Sequence, residues 1–230
     1  MKKVIIFIAP PGAGKGTQAN LLAEYFDLVH LETSKVIEKR IMNAKEDEYL
    51  EVDGEKFLFS EEKRKWESGE ICSPPFVTQL VLEEIERPAK EEKGIVFSGS
   101  PRSIYEAQKE ASLLEKLYGR ENVVVLKINL SPEESIFRNS HRRICSLMRH
   151  PILWLKETEN LSLCPLDGSK LIKRESLDDP ETIKVRLKEF QEKTAPVIDY
   201  LKEKGFRIEE INGEQTVEEV FQEIIKKLNF

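Results

Sequence analysis

Residues 10 to 18 read Pro10-Pro11-Gly12-Ala13-Gly14-Lys15-Gly16-Thr17-Gln18, a run of small residues that lets successive backbone N–H groups converge on one anion. Lys15 adds a positive point charge and Thr17 a hydroxyl suited to Mg²⁺, so the chemistry on offer is polyphosphate binding by Gly12, Ala13, Gly14, Lys15, Gly16 and Thr17. Such a cradle needs a rigid strand to deliver it and a helix to follow it. The apolar run Val4-Ile5-Ile6-Phe7-Ile8-Ala9 reads as a strand buried on both faces. Ala19, Leu22 and Phe26 then outline an amphipathic helix whose N-terminal dipole faces the anion. The strict phosphate-loop pattern fails twice, since Ala9 stands where its first Gly belongs and Gly16 separates Lys15 from Thr17. A loop that only turned the chain would require neither the strand nor the helix.

Other short apolar runs, at 28–31, 95–98, 123–130 and 206–211, alternate with segments of helical period, which predicts an α/β fold with a parallel sheet. Ser131-Pro132-Glu133-Glu134 and Thr216-Val217-Glu218-Glu219 are helix starts with an N-cap and acidic first turn. Two stretches interrupt the alternation: a charged, mainly helical one at 33–72, and a non-periodic one at 145–176 with Cys, Pro and Gly. Both read as lobes inserted into one core made of 1–32, 73–144 and 177–230.

The 36 Lys and Arg against 42 Asp and Glu leave a net charge of −6, which argues against a nucleic-acid partner. Three cysteines form no disulfide framework, which suits a reducing compartment. Lys2 and Lys3 precede an apolar run too short for a secretion signal, and no other stretch approaches a membrane span, so a soluble cytoplasmic protein is expected. Without coiled-coil heptads, the default is a monomer.

Taken together, the loop and the two inserted stretches resemble the adenylate kinase family of nucleoside monophosphate kinases, in its long-lid form, over essentially the whole chain. Gly94-Ile95-Val96-Phe97-Ser98-Gly99-Ser100-Pro101-Arg102 is similar to the family strand that ends in Asp-Gly-Phe-Pro-Arg, and Arg138, Arg142 and Arg143 match its arginine cluster before the lid. Asp178-Asp179-Pro180-Glu181-Thr182 with Arg186 resembles the return helix, and Thr194-Ala195-Pro196 is another family-like string. Thr33 falls where the monophosphate-binding helix opens, and Gly69 and Pro74 where that lobe closes. The resemblance implies a P-loop sheet core, a monophosphate lobe at 33–72, a mobile lid at 145–176, and transfer of the γ-phosphoryl of Mg·ATP to a monophosphate, AMP first. It further implies that Arg102 and Gly99 hold the acceptor, Arg138 stacks on the ATP base, and Arg142 and Arg186 neutralise the moving group.

This chemistry suits the residues themselves, because phosphoryl transfer asks for convergent positive charge and exclusion of water more than for a base or nucleophile. Arg138 and Arg142, four apart on one helix face, can meet one triphosphate; alone they would equally complement a helix C-terminus.

The departures fall on the acceptor and metal sides. Ser98 stands where the family has an acid that orders water on Mg²⁺, Lys35 replaces another Asp, and Glu38 replaces an arginine. Glu32 is the nearest acid, and Lys35 or Lys39, four apart, can supply the missing acceptor charge. Glu106 aligns with the family glutamine on the acceptor base, and a carboxylate accepts hydrogen bonds but does not donate them. Base preference therefore does not simply carry over: AMP is the first expectation, with CMP, UMP, GMP or a deoxynucleotide the alternative by the same chemistry, and a nucleotide sensor without turnover is the rival of a different class. In the lid, the family's Zn²⁺ positions fall on Cys145, Met148, Cys164 and Asp167, with His150 a better donor than Met148. A zinc lid of Cys145, His150, Cys164 and Asp167, and a lid without metal packed by Ile152, Leu153, Trp154 and Leu161, both stay open.

Overall fold

The computed structural model describes residues 3–45, 47–68, 70, 72–174 and 178–229. Val4–Ile8 (β1) is buried along its whole length and lies at the centre of a five-stranded sheet. Ile95–Ser98 (β5) and Val123–Asn129 (β6) flank it, with Val29–Leu31 (β2) beyond β5 and Arg207–Asn212 (β10) beyond β6. Every pairing is parallel. Alternate residues of β1 serve opposite cores. Ile5 and Phe7 pack with Val96, Val124 and Leu126 beneath Lys15–Phe26 (α1) and Val217–Leu228 (α9), whereas Val4, Ile6 and Ile8 pack with Phe97, Val123 and Val125 against Pro74–Lys90 (α4), Ile104–Tyr118 (α5) and Ala195–Glu203 (α8). The expected parallel α/β core is present, with strands at the apolar runs that announced them.

The cap signals hold as well. Ser131 accepts from Glu134 N at the start of Pro132–His141 (α6), and Thr216 and Glu219 form a reciprocal capping box on α9. The α6 cap matters because only Leu130 and Ser131 separate that helix from β6, which leaves its Ser135 against Pro11 of the phosphate loop.

The stretch at 33–72 is only partly helical, and this corrects the sequence expectation. Thr33–Met42 (α2) and Phe59–Ser68 (α3) enclose an antiparallel hairpin of Tyr49–Val52 (β3) and Glu55–Leu58 (β4). The turn is Asp53-Gly54, with φ of 52° and 85°, the left-handed pair that a two-residue hairpin turn requires. Its Asp-Gly signal was present in the sequence, but the charged strands around it lack clear alternation. Lys109 on α5 reaches Asp53 at 3.5 Å and ties the hairpin tip to the core. Gly69 lies outside the described residues; Pro74 opens α4.

The second insertion contains Arg143–Cys145 (β7), Pro151–Ile152 (β8) and Leu171–Ile172 (β9), a small antiparallel sheet in the order β8-β7-β9. The expected boundary at 176/177 lies outside the described residues. Asp179 caps Pro180–Glu189 (α7), which packs against α6 and runs through a π-helical segment, Phe190–Thr194, into α8. Among the described residues no helix is long and apolar enough to cross a membrane.

Candidate active site

The phosphate loop leaves β1 at the carboxyl edge of the sheet, where ligands of open α/β folds bind. Gly12 takes a φ of 79°, and a Cβ there would stand 2.5 Å from Asn139 Nδ2, so both conformation and space demand glycine. From α6, Ser135 Oγ donates to Pro11 O at 2.7 Å, and Asn139 Nδ2 donates to Ser135 O at 2.7 Å. Sequence reasoning missed these two clamps because a Ser and an Asn on an amphipathic helix give no distinctive signal. Lys15 is the first residue of α1 and folds back over its own loop, its Nζ donating to Ala9 O at 2.7 Å and Pro10 O at 2.9 Å. The first turn of α1 carries no acidic residue to compete with an anion.

Lys15, Arg102, Arg142 and Arg186 meet here, four of the arginine and lysine candidates. Burial first, then the charges of Arg102, Arg186 and Arg142, push the Lys15 ammonium down to about 7. Burial likewise lowers Arg186 to about 10, reinforced by Arg174, Arg142 and Arg102 and opposed by Asp178. The cations arrive from α1, the β5–α5 loop, the end of α6 and α7, and the carboxylate among them is Asp178. Burial works against that carboxylate, but Arg142 and Arg174 hold it below the ordinary range. Arg142 Nε lies 3.1 Å from Asp178 Oδ2, and Arg174 donates to both oxygens at 3.2 and 3.1 Å. Arg174 was not anticipated; its position four residues before Asp178 is the signal that could have found it.

Arg138 stands apart from this cluster. Its Nε donates to Glu134 Oε1 at 2.6 Å, and its charge acts on Glu214, which also accepts from Ser131 N at 2.9 Å. Arg143 turns into the lid instead, donating to the carbonyls of Thr158 and Leu161 and lying 5.0 Å over the Trp154 ring.

At the start of α2, Thr33 Oγ1 is buried without a hydrogen-bond partner. A Cβ on Gly99 would stand 3.3 Å from that hydroxyl and 3.4 Å from Arg102 Nη2, so Gly99 lets the two groups approach across it. Arg102 Nε donates to Gly99 O at 2.6 Å, which aims the remaining guanidinium edge outward. An unsatisfied hydroxyl beside a guanidinium matches the acceptor pattern of a phosphate. Lys35 instead pairs with Glu32 at 2.9 Å and is 71% exposed, and Lys39 is also exposed, so neither joins the cluster around Lys15. Glu106 is buried at the start of α5. Its Oε2 accepts from Arg102 N at 2.8 Å and Ser100 Oγ at 3.2 Å, and its Oε1 accepts from Ser103 Oγ at 3.1 Å. One turn on, burial and then the Glu106 charge raise the carboxyl of Glu110, which shares the Ser100 hydroxyl.

The lid brings its four candidate donors together. The ligand atoms of Cys145, His150, Cys164 and Asp167 all lie within 4.8 Å of one another. Cys145 Sγ is 3.0 Å from Asp167 Oδ2 and 3.5 Å from His150 Nδ1, which is 3.7 Å from Cys164 Sγ. Two sulfurs, an imidazole nitrogen and a carboxylate at such spacings suit a tetrahedral Zn²⁺. The outer contacts fit too: His150 N donates to Cys145 Sγ at 3.1 Å, and Asp167 Oδ1 accepts from Ser169 N and Oγ at 2.9 and 2.7 Å. Met148 is 63% exposed, and His150 takes the place its position would have held.

Comparison with known proteins agrees with this geometry. The family profile described as adenylate kinase matches residues 7–206. A protein of Methanothrix thermoacetophila named adenylate kinase is 30% identical over 225 residues, covering 98% of each chain. Adenylate kinases of Petrotoga mobilis and Staphylococcus epidermidis are 32% and 31% identical, over 97% and 98% of this chain and 96% and 98% of their own.

Proposed function

The chain belongs to the adenylate kinase family and is an ATP:AMP phosphotransferase, and we propose the roles through which its residues move the phosphoryl group. The observation that carries this reading is the mutual crowding of Lys15, Arg102, Arg142 and Arg186, positive charge that a polyphosphate would neutralise. Gly12 to Thr17 and the α1 N-terminus cradle the donor phosphates, and Lys15 swings from its loop carbonyls onto them. Arg142 and Arg186 face the group in flight, with Asp178 fixing Arg142 from behind. Arg102, Gly99 and Thr33 hold the acceptor phosphate, and Arg138 lies against the donor base. Lys35 and Lys39 add diffuse attraction for the acceptor from the α2 surface. Glu106 anchors the backbone of Arg102 and so serves the acceptor indirectly.

No side chain here has to act as base or covalent nucleophile, since alignment and charge stabilisation carry the rate. Thr17 would present the protein's hydroxyl to Mg²⁺, which would supply charge neutralisation on the donor phosphates. Zn²⁺ held by Cys145, His150, Cys164 and Asp167 would fix the lid loops. We further propose that 33–72 and 145–176 are the two closing lobes, and that the enzyme works as a cytoplasmic monomer.

A coupled assay with Mg·ATP and AMP, CMP, UMP or GMP tests the acceptor. AMP is expected to give the highest kcat/KM and two ADP per turnover. A higher value for another monophosphate would overturn the AMP assignment.

A further inference from the structure

Three polar side chains near the phosphate loop have no part in the roles given above. His30, in β2, sits between α1 and β5: its Nδ1 is 2.7 Å from Asn20 Oδ1 and its Nε2 2.5 Å from Ser98 Oγ. Asn20 lies one helical turn after Thr17 on α1. Ser98, 9% exposed, ends β5 at the carboxyl edge, in register with Phe7 on the strand that feeds the loop. In P-loop phosphotransferases the metal's second protein contact comes from the end of a neighbouring strand, and it is normally an acid. Here that place holds a hydroxyl, which carries a proton of its own and can face a bound water either as donor or as acceptor.

The orientation of the Asn20 amide points to the second. Asn20 presents its carbonyl oxygen to Nδ1, so Nδ1 carries the ring hydrogen and Nε2 is left with a lone pair. Ser98 must then donate its hydroxyl hydrogen to Nε2, and its oxygen lone pairs turn away from the imidazole. We propose that Asn20, His30 and Ser98 form a relay that fixes the Ser98 hydroxyl as an acceptor for a water on the nucleotide's Mg²⁺, so that His30 and Asn20 are positioning residues for the reaction. The relay rests on the reading of Thr17 as the metal-side hydroxyl. Burial lowers the His30 pKa; Lys35 adds to that effect and Glu32 opposes it. An imidazolium would donate to Ser98 from Nε2, turn the serine hydrogen outward, and add a positive charge beside the divalent ion.

Two measurements test the relay. Long-range ¹⁵N–¹H correlation spectra of the nucleotide-free protein at pH 7 should report His30 as the neutral Nδ1–H tautomer; the Nε2–H tautomer or an imidazolium would overturn the proposal. Calorimetry with the imido analogue of ATP, in Mg²⁺ and in EDTA, gives the factor by which the metal tightens binding. Ser98→Ala and His30→Leu should each lower that factor about tenfold, the scale of one charge-assisted hydrogen bond, without changing metal-free affinity, and the double variant should be no worse. His30→Gln, with a donor and an acceptor on one amide, should keep most of the gain. In a Ser98→Asp background the carboxylate needs no orienting, so His30→Leu should have no further effect. An unchanged factor in Ser98→Ala, or an undiminished His30→Leu effect beside Asp, would overturn the relay. Thr17→Val separates the two readings: if it leaves the factor intact, the metal assignment of the loop fails, while the relay is judged on Ser98 and His30.

Discussion

The phosphate-loop side and the α2 side of this site hold their charges in opposite ways. Around the phosphate loop, Lys15 is buried among the charges of Arg102, Arg186 and Arg142, and the carboxylate among them, Asp178, is itself buried and shared with Arg174. On the α2 side, Lys35 is an exposed partner of Glu32, Lys39 is exposed, and Arg102 is the member of the crowded group that comes close to Thr33. Charge in a poorly solvated place acts strongly on the group in flight, whereas exposed charge is screened and mainly recruits ligand. With the roles proposed above, the contrast puts turnover on one side and affinity on the other.

The largest expected effect comes from removing the charge nearest the moving group. Lys15→Ala should lower kcat by at least about 100-fold, the usual scale for a preorganised charge in a transition state. Lys35→Ala with Lys39→Ala should raise the AMP KM several-fold with kcat little changed, as expected for screened surface charge. Circular dichroism should report both variants as folded. A kcat loss in the lysine pair as deep as that of Lys15→Ala would erase the distinction between the two sides.

The lid offers the next largest effect, on stability. Protein purified without added zinc should carry about one Zn²⁺ per chain, and Cys164→Ser should lose the metal and melt several degrees lower. Metal-free wild type with the same melting temperature as Cys164→Ser would return the lid to the packed alternative. The rigid lid then has to come from contacts such as Arg143 over Trp154.

Legibility follows the same divide between local and long-range causes. The strand, loop and helix around Lys15 were readable because each has its own periodic or glycine signal, and the order β–loop–α has one architectural meaning. The hairpin at Asp53-Gly54 announced its turn but not its strands, because β3 and β4 are short and largely exposed and mix apolar with charged residues without clear alternation. The Arg142–Asp178 pair and the Asn20–His30–Ser98 contacts join residues with no shared pattern, and only the packing of α1 on β5 and of α6 on α7 brings their surroundings together. Glu106 was visible as a substitution, yet its hydrogen bonds to the preceding turn depend on how the chain enters α5.

The depressed Lys15 gives a smaller effect with a definite sign. In the nucleotide-free fold it titrates near 7, against 10.5 in the unfolded chain, so between these values the unfolded state binds the extra proton. This group therefore makes stability rise with pH across that window, and it makes no such contribution below it. A bound polyphosphate favours the ammonium and restores the proton. At pH 8, ATP binding should take up a substantial fraction of one proton, and at pH 6 almost none. Calorimetry in two buffers of different ionisation enthalpy measures this directly, with Lys15→Met as the control that abolishes it. Equal uptake at pH 6 and 8 would show that Lys15 is already charged before nucleotide arrives, and would remove the crowding on which the donor-side description depends.

The smallest effect concerns Glu106, the point at which acceptor affinity and base choice separate. A residue that read the base would change the ranking of AMP, CMP, UMP and GMP when its hydrogen-bonding pattern changed. A residue that held the turn would change only how well Arg102 is placed. The carboxylate of Glu106 accepts from Arg102 N, Ser100 and Ser103, and an amide in its place has one oxygen to offer where there were two. Glu106→Gln should therefore raise the AMP KM by about fivefold, the scale of one ordinary hydrogen bond, with kcat nearly unchanged. The kcat/KM ratios among the four monophosphates should stay as in wild type. A tenfold sharper preference for AMP in the variant would mean instead that the side chain at 106 touches the base, and the boundary between the turn and the acceptor pocket would have to be redrawn around it.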